Sequence, residues 1–115
     1  MKTIHLIGHP HPVRIDSIVW LEGEANYTRV HYQDGTFSIV TQPLLWFEHN
    51  LSFIRVHRSA IINPTYVLEF ELKSGRSGWV RLVADRVIPV SRNRLKHTAT
   101  VLSSKYSRPL TIIED

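Results

Sequence analysis

The sequence contains no cysteine, so neither a disulfide framework nor a thiolate-held metal centre is open to it. No apolar run approaches the ~18 residues that would suggest a membrane-spanning helix. The opening Met1-Lys2-Thr3-Ile4-His5-Leu6-Ile7-Gly8 has one charged side chain and too short an apolar stretch for a secretory signal. Glycine-rich phosphate loops, an H-E-x-x-H pair and a G-x-S-x-G elbow are all missing. Ser59 has His57 close by in sequence, but no carboxylate is placed to orient the imidazole. His5, His9 and His11 look like part of a metal site, yet Pro10 and Pro12 argue for irregular chain and no acid completes the set. The expectation is a cytoplasmic protein that is not an enzyme and holds no metal or cofactor.

Acids are scarce in the second half. Between Lys73 and Arg108 the sequence has Arg76, Arg81, Arg86, Arg92, Arg94, Lys96 and Lys105 against Asp85 alone, whereas Glu22, Glu24, Asp34, Glu48, Glu69 and Glu71 balance the earlier part. A basic half on a chain of net charge +4 implies a surface that faces a polyanion. With 115 residues, 43% of them hydrophobic, the chain is one ordinary globular domain that needs no metal or disulfide support.

Its regular elements read as short strands. Asn26–Gln33 and Thr36–Thr41 are rich in β-branched and aromatic residues, and Asp34-Gly35 between them signals a type I′ hairpin turn. Tyr66–Leu72 and Trp79–Val83 form a second pair across the glycine-bearing Lys73–Gly78, with Tyr66, Leu68, Phe70 and Leu72 on the inner face. Asp85-Arg86 then turns the chain into Val87–Val90. A short helix is predicted over Leu44–His49 after Pro43, with Leu44, Leu45, Phe47 and Leu51 on one face. A second is predicted over Arg92–Leu102, capped by Ser91. Ile4–Ile7 is apolar enough for an extra edge strand, as is Leu110–Ile113 near the end. The predicted core includes Trp20, Phe37, Phe47, Phe53, Ile54 and Phe70.

Two strands end abruptly in polar clusters: Phe53-Ile54-Arg55-Val56-His57-Arg58-Ser59-Ala60-Ile61-Ile62-Asn63 and Ile88-Pro89-Val90-Ser91-Arg92-Asn93-Arg94. Such a cluster most naturally lies on a loop, and its guanidinium, hydroxyl and amide groups have the donors that phosphates and base edges accept. Together with Ile18-Val19-Trp20-Leu21-Glu22-Gly23-Glu24-Ala25-Asn26-Tyr27-Thr28, these segments resemble the signatures of LytTR DNA-binding domains, output modules of many bacterial transcriptional regulators. The resemblance covers roughly residues 13–102, leaving 1–12 as a lead-in and 103–115 as a tail.

It implies a mostly β domain of about ten short antiparallel strands in three small sheets, with one or two short helices, that reads double-stranded DNA with loops and without a recognition helix. It also implies two copies acting on direct repeats, and a regulatory input that the sequence does not identify. The residues before Val13 are too few for the usual receiver, so a stand-alone regulator or an excised output domain is expected. The implied DNA contacts are Asn26 to adenine, Thr28 and Arg29 in the first loop, Arg58 at the minor groove or backbone, and Ser91, Arg92, Asn93, Arg94 and Lys96 in the third segment. Arg92 is the foremost candidate for a bidentate contact to guanine. His57, Ser59 and Asn63 are assigned to support of the loops. The competing reading is a small β module that binds a peptide or small molecule in a groove lined by Trp20, Trp46 and Trp79.

Overall fold

The computed structural model describes residues 2–74, 76–104 and 111–114. In chain order its elements are β1 (Thr3–Ile4), β2 (Val13–Arg14), β3 (Ile18–Gly23), β4 (Thr28–Tyr32), β5 (Phe37–Val40), α1 (Leu44–Asn50), β6 (Ile54–His57), β7 (Ala60–Ile62), β8 (Val67–Lys73), β9 (Ser77–Leu82), β10 (Arg86–Val90), α2 (Leu95–Ser104) and β11 (Thr111–Glu114). The fold is mostly β, in three small sheets. β1 and β2 pair alone, a five-stranded sheet runs β5-β4-β3-β7-β6, and a four-stranded sheet runs β10-β9-β8-β11.

Both faces of the five-stranded sheet are used, because β3 is apolar through Ile18, Val19, Trp20 and Leu21. One face carries Trp20, Ile54 and Ile62 into a core shared with Phe70, Val80 and Leu82 of the second sheet and with Leu95 and Leu102 of α2. The other carries Leu21, Val30 and Ile61 against Leu6 of the lead-in and Leu44, Phe47 and Leu51 around α1. Phe47 and Phe70 are fully buried, and burying a side chain of that size contributes roughly 1.5–3 kcal/mol.

Several local expectations are corrected. The β4–β5 turn is not type I′: Gly35 alone takes positive φ, Gly35 donates to the Tyr32 carbonyl and Tyr32 donates to the Thr36 carbonyl. That is the three-residue loop in which glycine supplies the left-handed residue, and Asp34 Oδ1 stabilises it by accepting from the Thr36 amide and hydroxyl. In β8 a register shift between Val67 and Glu69 breaks the alternation, so Val67 and Phe70 are buried and Leu68 is exposed. Phe37 is 51% exposed, because the second sheet covers the β3, β7 and β6 part of the first and stops short of β5. Leu45 likewise faces outward, and Phe53 is only partly buried against the second core.

Among the described residues the lead-in adds no strand to either large sheet. Thr3–Ile4 pairs with Val13–Arg14, and the Gln42 side chain holds the segment by accepting from the Ile7 amide and donating to the His5 carbonyl. β11 pairs with β8 in parallel register, against the antiparallel rule of the other strands. The second helix is preceded by a 3-10 turn, Arg92–Arg94, and Ser91 stands at its N-cap position without a side-chain capping bond. No helix among the described residues is long and apolar enough to cross a membrane.

Candidate nucleic-acid interface

The turn between β6 and β7, His57-Arg58-Ser59, joins the polar clusters. On one side Gly23, at the end of β3, donates its amide to the Ser59 carbonyl at 2.8 Å. On the other, Ser91 at the end of β10 donates to the Val56 carbonyl at 2.7 Å. Val56 lies two residues from Arg58, about 7 Å along a strand. Segments distant in sequence thus converge through backbone hydrogen bonds that hold regardless of the side chains they display.

The turn itself is braced from within. The Ser59 amide and hydroxyl both lie within bonding distance of His57 Nδ1, at 3.2 and 2.9 Å. An amide can only donate, so this nitrogen is the acceptor and the neutral ring carries its proton on Nε2. Asn63 is 5% exposed; its amide group donates to the Ile18 carbonyl and its oxygen accepts from the Thr65 amide. Arg58 remains exposed.

The first loop is closed by the Glu24 amide donating to the Tyr27 carbonyl. Asn26 is exposed at its tip, and with Tyr27, Thr41, Pro43 and Arg58 it lines an open cleft of about 600 Å³. Thr28 does not present itself to a ligand: its side chain is 1% exposed and its hydroxyl donates to the Gln42 carbonyl at 2.7 Å. Its position in a paired strand turns it into the sheet, a placement that the isolated motif does not disclose. Arg29 is half-buried, 3.6 Å from Glu22 and 3.9 Å from Glu24, with its guanidinium over the Phe37 ring. It is restrained more than a free phosphate-binding arm would be. Glu22 also takes a hydrogen bond at 3.1 Å with His31, whose ring stacks on Trp20 at 4.4 Å. Burial pushes the His31 pKa down despite the pull of Glu22.

In the third segment Arg92, Asn93 and Lys96 are exposed, and Arg94 is half-exposed. Among the described residues no ion pair engages Arg58, Arg92, Arg94 or Lys96, whereas Arg14, Arg29, Arg55 and Arg81 are all paired. The Ser91 amide is spent on Val56, which leaves its hydroxyl as the group able to meet a ligand. Leu95, Thr98 and Leu102 face the core, so α2 is anchored by its inner face just where this segment begins.

Two residues with a clear part in this geometry were given no role from sequence. Arg55 ties the turn to Glu48 of α1, and its signal was its place beside the polar cluster. Gly23 leaves room for α1 beside the first loop: an added Cβ would lie 2.6 Å from Leu44 Cδ1, whereas Ser59 Cα, at 3.6 Å, would stay at ordinary contact distance. The tryptophans do not assemble a common groove. Trp20 lies in the core between the sheets and Trp46 packs against the opposite core. Among the described residues no cluster of three or more His, Cys, Asp or Glu is placed to hold a metal.

The model of the LytTr DNA-binding domain matches residues 9–103. This chain belongs to the LytTR DNA-binding domain family. A similar solved structure is the LytTr DNA-binding domain of a putative methyl-accepting/DNA response regulator from Bacillus cereus. It shares 22% sequence identity, and the match covers 89% of this chain and 97% of that one with a TM-score of 0.75. At that identity the likeness establishes the LytTR fold. Comparison with curated proteins gives no match.

Proposed function

We propose that this LytTR domain binds double-stranded DNA sequence-specifically in the cytoplasm as a transcriptional regulator, reading it with loops in place of a recognition helix. The observation that carries the reading is the joining of the polar segments through the His57–Ser59 turn, with Gly23 and Ser91 hydrogen-bonded on either side of it. Rigidly joined loops can follow a duplex without reordering on contact, which lowers the entropic cost of binding.

In this reading Asn26 meets an adenine edge and Arg92 a guanine edge. Arg58 enters a minor groove or meets the backbone, and Ser91, Asn93, Arg94 and Lys96 hold phosphates. Arg29, tethered by Glu22 and Glu24, contributes positive potential near the first loop. Thr28 supports that loop from the sheet. Two copies occupy direct repeats, each copy covering one half-site.

Selection of bound sequences from a random duplex pool tests this. A recurring motif present twice in one orientation is the expected result. No enrichment, together with an affinity indifferent to salt, refutes DNA reading and favours the peptide-binding module.

A further inference from the structure

We infer that Arg55 and Glu48 are positioning residues that set the direction in which Arg58 leaves the turn, a role that rests on the proposed DNA reading of that turn. The Arg55 side chain is 15% exposed and its donors point three ways. Nη1 donates to Glu48 Oε1 at 2.7 Å, Nε donates to the His57 carbonyl at 2.8 Å, and Nη2 donates to the Arg58 carbonyl. The His57 and Arg58 carbonyls belong to the peptide planes on either side of the Arg58 Cα. Fixing both planes fixes the Arg58 backbone dihedrals, and with them the Cα–Cβ direction.

The guanidinium is one rigid plane, so it holds these two carbonyls in register with the Glu48 carboxylate. Glu48 in turn is carried by α1, which Leu44 and Phe47 anchor in the second core. The chain of contacts therefore runs from a buried helix face through Glu48 and Arg55 to the backbone of an exposed cation. Arg58 has no ion pair of its own among the described residues, so this backbone bracing is what gives its side chain a defined origin.

An ammonium cannot reproduce the fork, so Arg55→Lys keeps the charge and loses the bracing. The test measures affinity for the duplex selected by the wild-type protein at fixed salt, for Arg55→Lys in the wild-type and Arg58→Ala backgrounds. Arg55→Lys is expected to weaken binding about tenfold when Arg58 is present and less than about twofold when it is absent, the non-additivity of residues that act as one unit. The dependence on salt should keep its slope, since no phosphate contact is removed. Glu48→Gln, which perturbs the clamp more gently, should give a smaller loss in the same pattern and keeps the test decisive if Arg55→Lys does not fold.

In the free protein both variants should speed hydrogen exchange at the Arg58 and Ser59 amides and leave the β8–β9 amides unchanged. Equal losses in the two backgrounds would make Arg55 a general stabiliser and overturn the inference. A slope flattened by about one unit in Arg55→Gln, which removes the charge, would make it a direct phosphate contact and overturn the inference equally. If the wild type selects no duplex, the DNA reading itself falls, while the exchange measurement still reports on the clamp.

Discussion

Replacing Arg92 by alanine isolates one exposed part of the proposed readout. Arg92 opens the 3-10 turn after β10, is exposed, and has no ion pair among the described residues. Its removal should therefore change folding stability by no more than about 0.5 kcal/mol. In the complex, loss of a bidentate guanine contact should cost roughly 1–3 kcal/mol on the preferred site, about 5- to 150-fold in Kd. The loss should vanish on a duplex whose contacted guanine pair has been replaced, because there the wild type has no contact to lose. Arg92→Lys should match the wild type on unrelated duplex but lack its discrimination, since it keeps the charge without the planar fork. The assay is fluorescence anisotropy on the selected duplex and its single-base variants at fixed salt, with a thermal melt of each protein. If Arg92→Ala weakens every duplex by the same factor, Arg92 is a phosphate contact and base reading passes to Asn26 or Arg58.

Affinity for duplex should fall linearly with salt on logarithmic axes, and Lys96→Ala should flatten the slope by about one unit without changing base preference; an unchanged slope would remove Lys96 from the interface. Thr98 is fully buried on α2 and its hydroxyl finds no partner among the described residues, so the near-isosteric Thr98→Val should stabilise the fold by about 1 kcal/mol, raising Tm by ~4 °C; a lower Tm would show that the hydroxyl is satisfied. Because burial lowers the His31 pKa below its unfolded value, the stability that neutral His31 contributes is present above about pH 6.5 and is lost as pH falls through the lower folded value. Melts at pH 8, 7, 6 and 5 should accordingly fall more steeply for the wild type than for His31→Phe, and parallel curves would refute the linkage.

Much of the fold was legible along the chain because its determinants are local. Alternating apolar residues cut by turn signals marked β4, β5, β8 and β9, and Pro43 with the Leu44–Phe47 spacing marked α1. The motif around Arg58 and that around Arg92 identified the family, since order and spacing are properties of sequence alone. Where expectation failed locally, the missing information was still short-range but finer than a pattern. One extra residue at Leu68 breaks the alternation there, so that Val67 turns inward and Leu68 outward. A single left-handed glycine, without a left-handed Asp34, selects a three-residue turn.

What tertiary structure alone decided are the relations between residues far apart in the chain. Thr28 shares a polar motif with Asn26, yet it is buried in the sheet, where Gln42, just past the end of β5, offers its hydroxyl a carbonyl. Phe37 has the composition of a core residue, yet it is exposed because the covering sheet is too narrow to reach it. The bonds from Gly23 to Ser59 and from Ser91 to Val56 bring the polar segments together, and no periodicity encodes such a pairing. The chemistry of each loop is written in the types of its residues. Which of those residues are free to use it depends on burial and on hydrogen-bond partners, which exist only once the sheets have packed.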